Sequence, residues 1–333
     1  MISAILAGGK GVRLWPESTE KKPKQLCDFM GQGSLLAMTL QRLHPLGSLL
    51  VVCGDEQKDS IEAERNGIDF TALTEPMGRN TAPAVGLVLA SCSYDQDEVL
   101  GFFPADHYIE DTAEFRKVVH KAEELAKAGY LVTIGIKPSY PETGYGYIER
   151  TDSKDSKTVK AFHEKPDFDT AAAYVKSGNF FWNAGIFIAT VKTWMRLMEE
   201  HLPELYLKIK EGQEAYRAKY SSYPNISIDY AIAEKCDRMV VLEGDFGWND
   251  IGSWDALAAV LDKDEQGNAL AGNALVIDSS GCLGRSSQKK LVLFGVEDLV
   301  VVETEDTILV CPKDRSQDIR QVVEIVQAQK ELG

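Results

Sequence analysis

Short apolar runs separated by helix-period segments organise the first half of the chain. Ile2–Leu6, Leu49–Cys53, Phe70–Leu73, Val99–Phe103 and Leu131–Ile136 read as strands, bounded by polar or Gly/Pro punctuation. Strands alternating with helical stretches predict βαβ units in a mainly parallel sheet. The clearest helix follows Asp111. Phe115, Val118, Val119, Ala122, Leu125 and Ala126 fall at i, i+3, i+4 spacing, Asp111 and Glu114 form an N-cap and N3 pair, and Gly129 supplies the stop. After Thr81, Ala84, Val85, Val88, Leu89 and Cys92 share a second helical phase.

The texture changes near Asn268. Leu275–Ile277, Leu291–Phe294, Leu299–Val302 and Ile308–Val310 are β-rich runs without helices between them, and Ser316 to Leu332 returns to helical spacing through Ile319, Val322, Val323 and Val326. The polar run Asp262–Asn268 reads as a linker, which places a catalytic domain at 1–263 and a small β-rich, β-helix-like segment at 264–333. The length of 333 residues agrees with about two domains.

Charge narrows the partners. With 36 Lys+Arg against 51 Asp+Glu, the formal net charge is −15, which argues against a nucleic-acid or anionic-membrane surface. A phosphate ligand must be met by a few local cations, backbone amides or a metal. The six cysteines are scattered without a C-x-x-C pair, and no H-E-x-x-H occurs; this reads as thiols in a reducing compartment. No apolar run approaches the length of a membrane span, and the chain starts on a strand without a basic leader. The expectation is a cytoplasmic protein.

The most informative stretch is Leu6-Ala-Gly-Gly-Lys-Gly-Val-Arg-Leu-Trp-Pro, directly after the first strand. Open α/β sheets bind ligands at that edge. Gly8, Gly9 and Gly11 let backbone N–H groups approach an anion, and Lys10 and Arg13 add positive charge. A dinucleotide fingerprint fails because its third glycine position is Leu14, and a Walker A loop fails because Lys10 is followed by Gly11. A nucleoside polyphosphate remains the natural ligand, supported by the second basic cluster Lys21-Lys22-Pro23-Lys24.

The run Leu6–Pro16 with Pro23-Lys24-Gln25 resembles the G-x-G-x-R-L-x-P…P-K signature of sugar-1-phosphate nucleotidyltransferases. Glu75-Pro-Met-Gly-Arg-Asn-Thr-Ala-Pro-Ala is similar to the mannose-1-phosphate guanylyltransferase branch, as are Phe103-Pro-Ala-Asp-His, Phe162-His-Glu-Lys-Pro, Trp182-Asn-Ala-Gly and Trp248-Asn-Asp-Ile-Gly-Ser-Trp. The resemblance implies a Rossmann-like, GT-A-like α/β fold: a mostly parallel sheet with helices on both faces, a C-terminal β-helical segment and a terminal helix. It implies transfer of GMP from GTP to mannose 1-phosphate, giving GDP-mannose and pyrophosphate, by a homodimer. Many relatives add a C-terminal isomerase domain; the end at Gly333 leads to the expectation of a single activity here.

By the same resemblance, Arg13 and Lys24 act on the triphosphate, and Asp106 and Asp250 hold Mg²⁺. Leu6, Ala7, Gly8, Gly9, Lys10, Gly11, Arg79, Asn80, Thr81 and Asp106 contact the nucleotide. Gly146, Glu164, Lys165 and Asn183 bind the sugar phosphate. Plainer readings stand beside these. Asn80 or Thr81 suits a helix cap, Asp106 a turn, Asp250 an N-cap, and Glu164–Lys165 an exposed ion pair. His107 suits a supporting place, and Trp182, Trp248 and Trp254 suit core packing. The rival functions are a nucleotidyltransferase for another sugar and nucleotide, and a non-catalytic sensor of nucleotide sugars.

Overall fold

The computed structural model describes residues 1–9, 11–91, 94–151 and 158–331. Lys10, Cys92 and Leu332, which figure in the readings above, lie outside the described residues. The chain divides into two compact units. Met1–Gly8, Thr39–Ala105 and Ile109–Trp248 form the first, and Gly9–Met38, Asp106–Tyr108 and Asn249–Gly333 form the second.

The first unit is built on a sheet that has nine strands among the described residues. β1 (Ile2–Leu6), β2 (Ser48–Gly54), β3 (Thr71–Glu75) and β4 (Val99–Pro104) pair in parallel in the order β4-β1-β2-β3. Their apolar runs do not alternate because helices cover both faces. Successive side chains show it: Phe102 packs edge-on against Trp194 of the helix Val191–His201, while Phe103 packs against Phe115 of the helix Thr112–Lys127. Beyond β4 the sheet is mixed. Phe180–Thr190 runs antiparallel between β4 and Leu131–Ile136, and Met239–Gly244 lies parallel to the latter. A hairpin of Gly146–Arg150 and Val159–Glu164 joins Phe180–Thr190. The main path of the sheet is therefore mostly parallel, as the alternation of elements predicts.

Local signals act where they should. Asp111 Oδ1 accepts hydrogen bonds from Ala113 N at 3.0 Å and Glu114 N at 2.9 Å, capping the helix Thr112–Lys127. Glu114 does not complete a reciprocal box but reaches forward to Lys117 at 2.9 Å. Asp111→Ala is expected to lower stability by about 1 kcal/mol, with Asp111→Asn retaining most of it. Urea melts of the two variants check this, and equal midpoints for Ala and wild type would discard the cap.

The second unit holds a four-stranded sheet of Ala269–Ile277, Leu283–Phe294, Leu299–Glu303 and Ile308–Pro312. The first three are parallel and the last antiparallel. Parallel strands joined without helices are the arrangement of a β-helical segment. The terminal helix runs Ile319–Glu331, preceded by a 3-10 turn at Lys313–Asp318, so it begins later than Ser316. Leu14, Phe29, Trp254, Leu283, Val300 and Ile319 share one core. The Trp254 indole donates to the Trp15 carbonyl at 3.0 Å and stands edge-on to Phe29. Arg285 grips Glu17 through two bonds of 2.7 and 3.0 Å and donates to the Phe29 carbonyl at 2.9 Å. A buried Arg can be held this way only because its charge is matched bidentately.

Candidate active site

Arg13, Lys24, Asp106 and Asp250 line one cavity of about 480 Å³ in the second unit. Gly11 shapes its wall. Its φ is 51°, and a Cβ there would come within 2.8 Å of both Lys24 Cβ and Lys24 N, so only glycine lets the loop press against Lys24. Arg13 follows on the short 3-10 turn Val12–Leu14 and is exposed.

Lys24 is buried, at 7% exposure. Its ammonium donates to Asp106 Oδ2 at 2.9 Å and to the Asp250 carbonyl oxygen. Among the described residues, two of its three hydrogens thus face protein, leaving one for a ligand. Burial pushes the Asp106 carboxyl up, but the Lys24 ammonium and His107 more than offset this and hold it below the ordinary carboxylate range. His107 Nε2 lies 4.0 Å from Asp106 Oδ1. Asp250 Oδ1 accepts from Gly252 N at 2.9 Å, and Asn249 Oδ1 accepts from Ile251 N at 2.7 Å. Ile251 is buried with φ 46°, a conformation β-branched residues rarely adopt. The next helix, Trp254–Val260, is capped by Ser253, not by Asp250. Arg320 and Glu324 of the terminal helix also line the cavity, paired at 3.4 Å; nothing in an i,i+4 pair distinguishes them from a solvated helix face.

In the first unit, the loop after β1 is anchored to the sheet. Ala7 N donates to the Val52 carbonyl at 2.8 Å, and the Leu6 carbonyl accepts from Ala105 N at 3.1 Å. After β3, the Arg79 guanidinium donates to the Ser221 carbonyl, while its Nε is buried without a partner among the described residues. Asn80 holds φ 64° and its Oδ1 accepts from Thr81 N at 2.9 Å. Thr81 Oγ1 accepts from Ile228 N at 2.8 Å. These bonds brace the start of the buried helix Thr81–Ser91, which is the plainer of the two readings open for Asn80 and Thr81.

A third group gathers on the hairpin and its neighbouring strand in the same unit. Gly146 and Glu164 are register partners, and Glu164 Oε2 lies 2.8 Å from where a Cβ on Gly146 would sit, with Asn183 Cβ at 3.8 Å from that point. Lys165 pairs with Glu164 Oε1 at 3.1 Å and holds φ 44°. Asn183 Nδ2 donates to Asp229 Oδ1 at 2.6 Å, and Asn183 Oδ1 accepts from Gly185 N at 3.0 Å. Asp229 belongs to no motif singled out by sequence; its only signal is the acidic residue two past the cap Ser227. Burial pushes its carboxyl up, Asn183 opposes that, and Glu164 adds to it.

The nucleotidyl transferase family model matches residues 2–267, and a MannoseP isomerase/GMP-like beta-helix domain matches 272–326. The chain belongs to the nucleotidyl transferase family. It is 38% identical to a mannose-1-phosphate guanylyltransferase of Klebsiella pneumoniae over 98% of this chain and 74% of that one. It is also 38% identical to the alginate biosynthesis protein AlgA of Pseudomonas aeruginosa, over 99% and 73%. A solved structure from Thermus thermophilus, described as a mannose-1-phosphate geranyltransferase, superposes with a TM-score of 0.90 at 33% identity, covering 98% of this chain and 99% of that one.

What this nucleotidyltransferase could hold as a metal follows from its donors. No group of three or more His, Cys, Asp or Glu side chains among the described residues could cage an ion. Asp106 and Asp250 on one cavity offer hard oxygen donors instead. That set fits Mg²⁺, which takes one or two carboxylates and completes its shell from phosphates and water.

Proposed function

We propose that this nucleotidyltransferase transfers GMP from GTP to α-D-mannose 1-phosphate, releasing GDP-mannose and pyrophosphate. The names of the bacterial relatives support the substrates. The observation that carries the chemistry is the convergence of Arg13, Lys24, Asp106 and Asp250 on one cavity.

The sugar phosphate oxygen is already an anion, so attack on the α-phosphorus needs neither a protein base nor a protein nucleophile. The obstacle is repulsion between two polyanions and the need for in-line alignment. Arg13 binds the triphosphate. Lys24, held by Asp106 and the Asp250 carbonyl, presents its remaining hydrogen to the α-phosphate as charge develops there. Asp106 and Asp250 would hold Mg²⁺, which when bound neutralises phosphate charge. Gly8, Gly9, Gly11, Arg79, Asn80 and Thr81 serve the nucleotide, with Leu6 and Ala7 holding their loop to the sheet. Gly146, Glu164 and Asn183 serve the mannose hydroxyls, and Lys165 binds its phosphate. Residues 1–263 act as the catalytic domain and 264–333 as the packing and dimerisation segment.

A homodimer is in keeping with an exposed apolar row, in which Leu275 pairs with Val292 and Ile277 with Phe294 in register. No helix among the described residues is long and apolar enough to cross a membrane. The five described cysteines are free, in keeping with a reducing, cytoplasmic setting.

Pyrophosphate release across a panel of nucleoside triphosphates and sugar 1-phosphates, with and without Mg²⁺, tests the assignment. GTP with mannose 1-phosphate should be the preferred pair, and only with metal. A pyrimidine nucleotide outperforming GTP would overturn the guanine assignment, and no metal-dependent turnover would favour a sensor. Lys165→Ala should raise KM for mannose 1-phosphate roughly 10-fold or more while leaving KM for GTP nearly unchanged. An unchanged KM for mannose 1-phosphate would make the Glu164–Lys165 pair purely structural.

A further inference from the structure

Lys24 stands on a stretch with little regular structure to hold it. Between the turn Val12–Leu14 and the helix Leu35–Leu43, the 3-10 turn Lys24–Leu26 is the one regular element among the described residues. An ammonium that must meet charge as it develops needs a fixed base, because a misplacement of about 1 Å can cost on the order of 100-fold in rate. Part of that base is local. Cys27 Sγ lies 3.4 Å from the Glu17 carbonyl oxygen and 3.6 Å from that of Pro23. A thiol, however, is a weak donor with a single hydrogen to give.

The strong ties come from far along the chain. Arg285 lies on the strand Leu283–Phe294, in register with Ala271 on one side and Val302 on the other, so its backbone is fixed from both sides. Its Nε and Nη2 donate to the two carboxylate oxygens of Glu17, at 2.7 and 3.0 Å, and its Nη1 donates to the Phe29 carbonyl at 2.9 Å. All three guanidinium nitrogens are used. Glu17 precedes Lys24 and Phe29 follows it, so one side chain joins the two ends of the stretch that carries the ammonium. Trp254 repeats the clasp one step further out, through the Trp15 carbonyl and the Phe29 ring.

We infer that Arg285 is a positioning residue for the transfer reaction: by tying Glu17 to Phe29 it fixes the loop from which Lys24 meets the α-phosphate. Arg285 does not line the active cavity and acts through that loop. A buried ion pair adds little stability over apolar residues of the same size, but a planar fork of donors sets a geometry that a lysine cannot. The C-terminal segment then serves turnover as well as packing. This role rests on the guanylyl-transfer reading and on the place of Lys24 in it.

The test compares Arg285→Ala, Arg285→Lys and Asn268→Ala in the full chain. Asn268 is buried in the same segment, donates to the Ser279 carbonyl at 2.9 Å and accepts from Cys282 N at 2.9 Å, so its loss loosens the segment without touching the clasp. Urea melts establish that each variant is folded. Pyrophosphate release, on whichever substrate pair the wild type uses best, gives kcat and both KM values. Arg285→Ala should lower kcat roughly 10–100-fold and leave both KM values within about threefold, as expected for a contact that matters in the transition state. Arg285→Lys keeps the charge without the fork and should fall between Arg285→Ala and wild type. Asn268→Ala should lower the urea midpoint and keep kcat near the wild-type value. A folded Arg285→Ala with wild-type kcat would overturn the inference. Where Arg285→Ala does not fold, a wild-type kcat for Arg285→Lys would do the same. So would an Asn268→Ala that loses kcat as steeply as the Arg285 variants, since the effect would then belong to a loosened segment. Each of these results leaves the transfer reading standing, whereas a wild type that turns over no substrate pair removes that reading and the clasp with it.

Discussion

Asp106→Asn is expected to lower kcat on the order of 10³-fold while the protein stays folded. Asn keeps the shape of the side chain and one acceptor oxygen, so the cavity is not emptied. What disappears is the negative charge, and with it both the hard donor for Mg²⁺ and the counter-charge of Lys24 at 2.9 Å. Lys24 is 7% exposed and cannot turn to water for compensation. Asp250→Asn should share the metal defect but keep the bond it supplies to Lys24, because that bond goes to the Asp250 backbone carbonyl, which Asn retains. Raising Mg²⁺ should therefore restore Asp250→Asn more fully than Asp106→Asn. Because Asp106 is held below the ordinary carboxylate range, it stays ionised through neutral and mildly acid pH. Its pairing stabilises the fold above the unfolded-state pKa and is lost only as pH falls through the lower folded-state value. Near-normal turnover by both variants, with unchanged Mg²⁺ dependence, would remove the carboxylates from the mechanism.

Trp194→Ala carries the largest expected cost to stability, about 3–5 kcal/mol. Trp194 is fully buried, stands edge-on to Phe102 with ring centroids 5.1 Å apart, and donates its indole N–H to the Leu100 carbonyl at 3.0 Å. Both partners belong to β4, so the substitution opens a void under the sheet and removes a hydrogen bond at once. Trp194→Phe separates the two effects: it fills most of the volume and should cost about 1–2 kcal/mol for the lost bond. Urea midpoints with a common m-value check the ranking. A Trp194→Ala midpoint as high as that of Trp194→Phe would mean that the site collapses around the void.

The parallel half of the fold is legible because its strands are continuous apolar runs. Ile2–Leu6 and Leu131–Ile136 have the predicted bounds, and the helix after Asp111 is fixed by its cap and its stripe. The antiparallel strand Phe180–Thr190 is not, since Asn183, Ala184 and Gly185 interrupt its apolar run. The helix Thr81–Ser91 is apolar all round, so its phase carries no information about facing. Motifs locate Arg13, Lys24, Asp106 and Asp250, but not what holds them. Lys24 and Asp106 lie 82 positions apart, Asn183 and Asp229 lie 46, Glu75 and Tyr220 lie 145, and Glu17 and Arg285 lie 268. Pairings at such distances leave no local spacing to read. Arg320 is hidden for another reason, because a cation four residues from a glutamate is what any exposed helix shows.

The direct attack of the sugar phosphate on the α-phosphorus, with no protein nucleophile between, is best tested by stereochemistry. GTP carrying a single sulfur of known configuration on its α-phosphorus is turned over with mannose 1-phosphate, and the configuration of the thio-GDP-mannose is determined by phosphorus NMR. One in-line displacement predicts inversion. Retention would require two displacements through a guanylyl-enzyme, and would contradict the account.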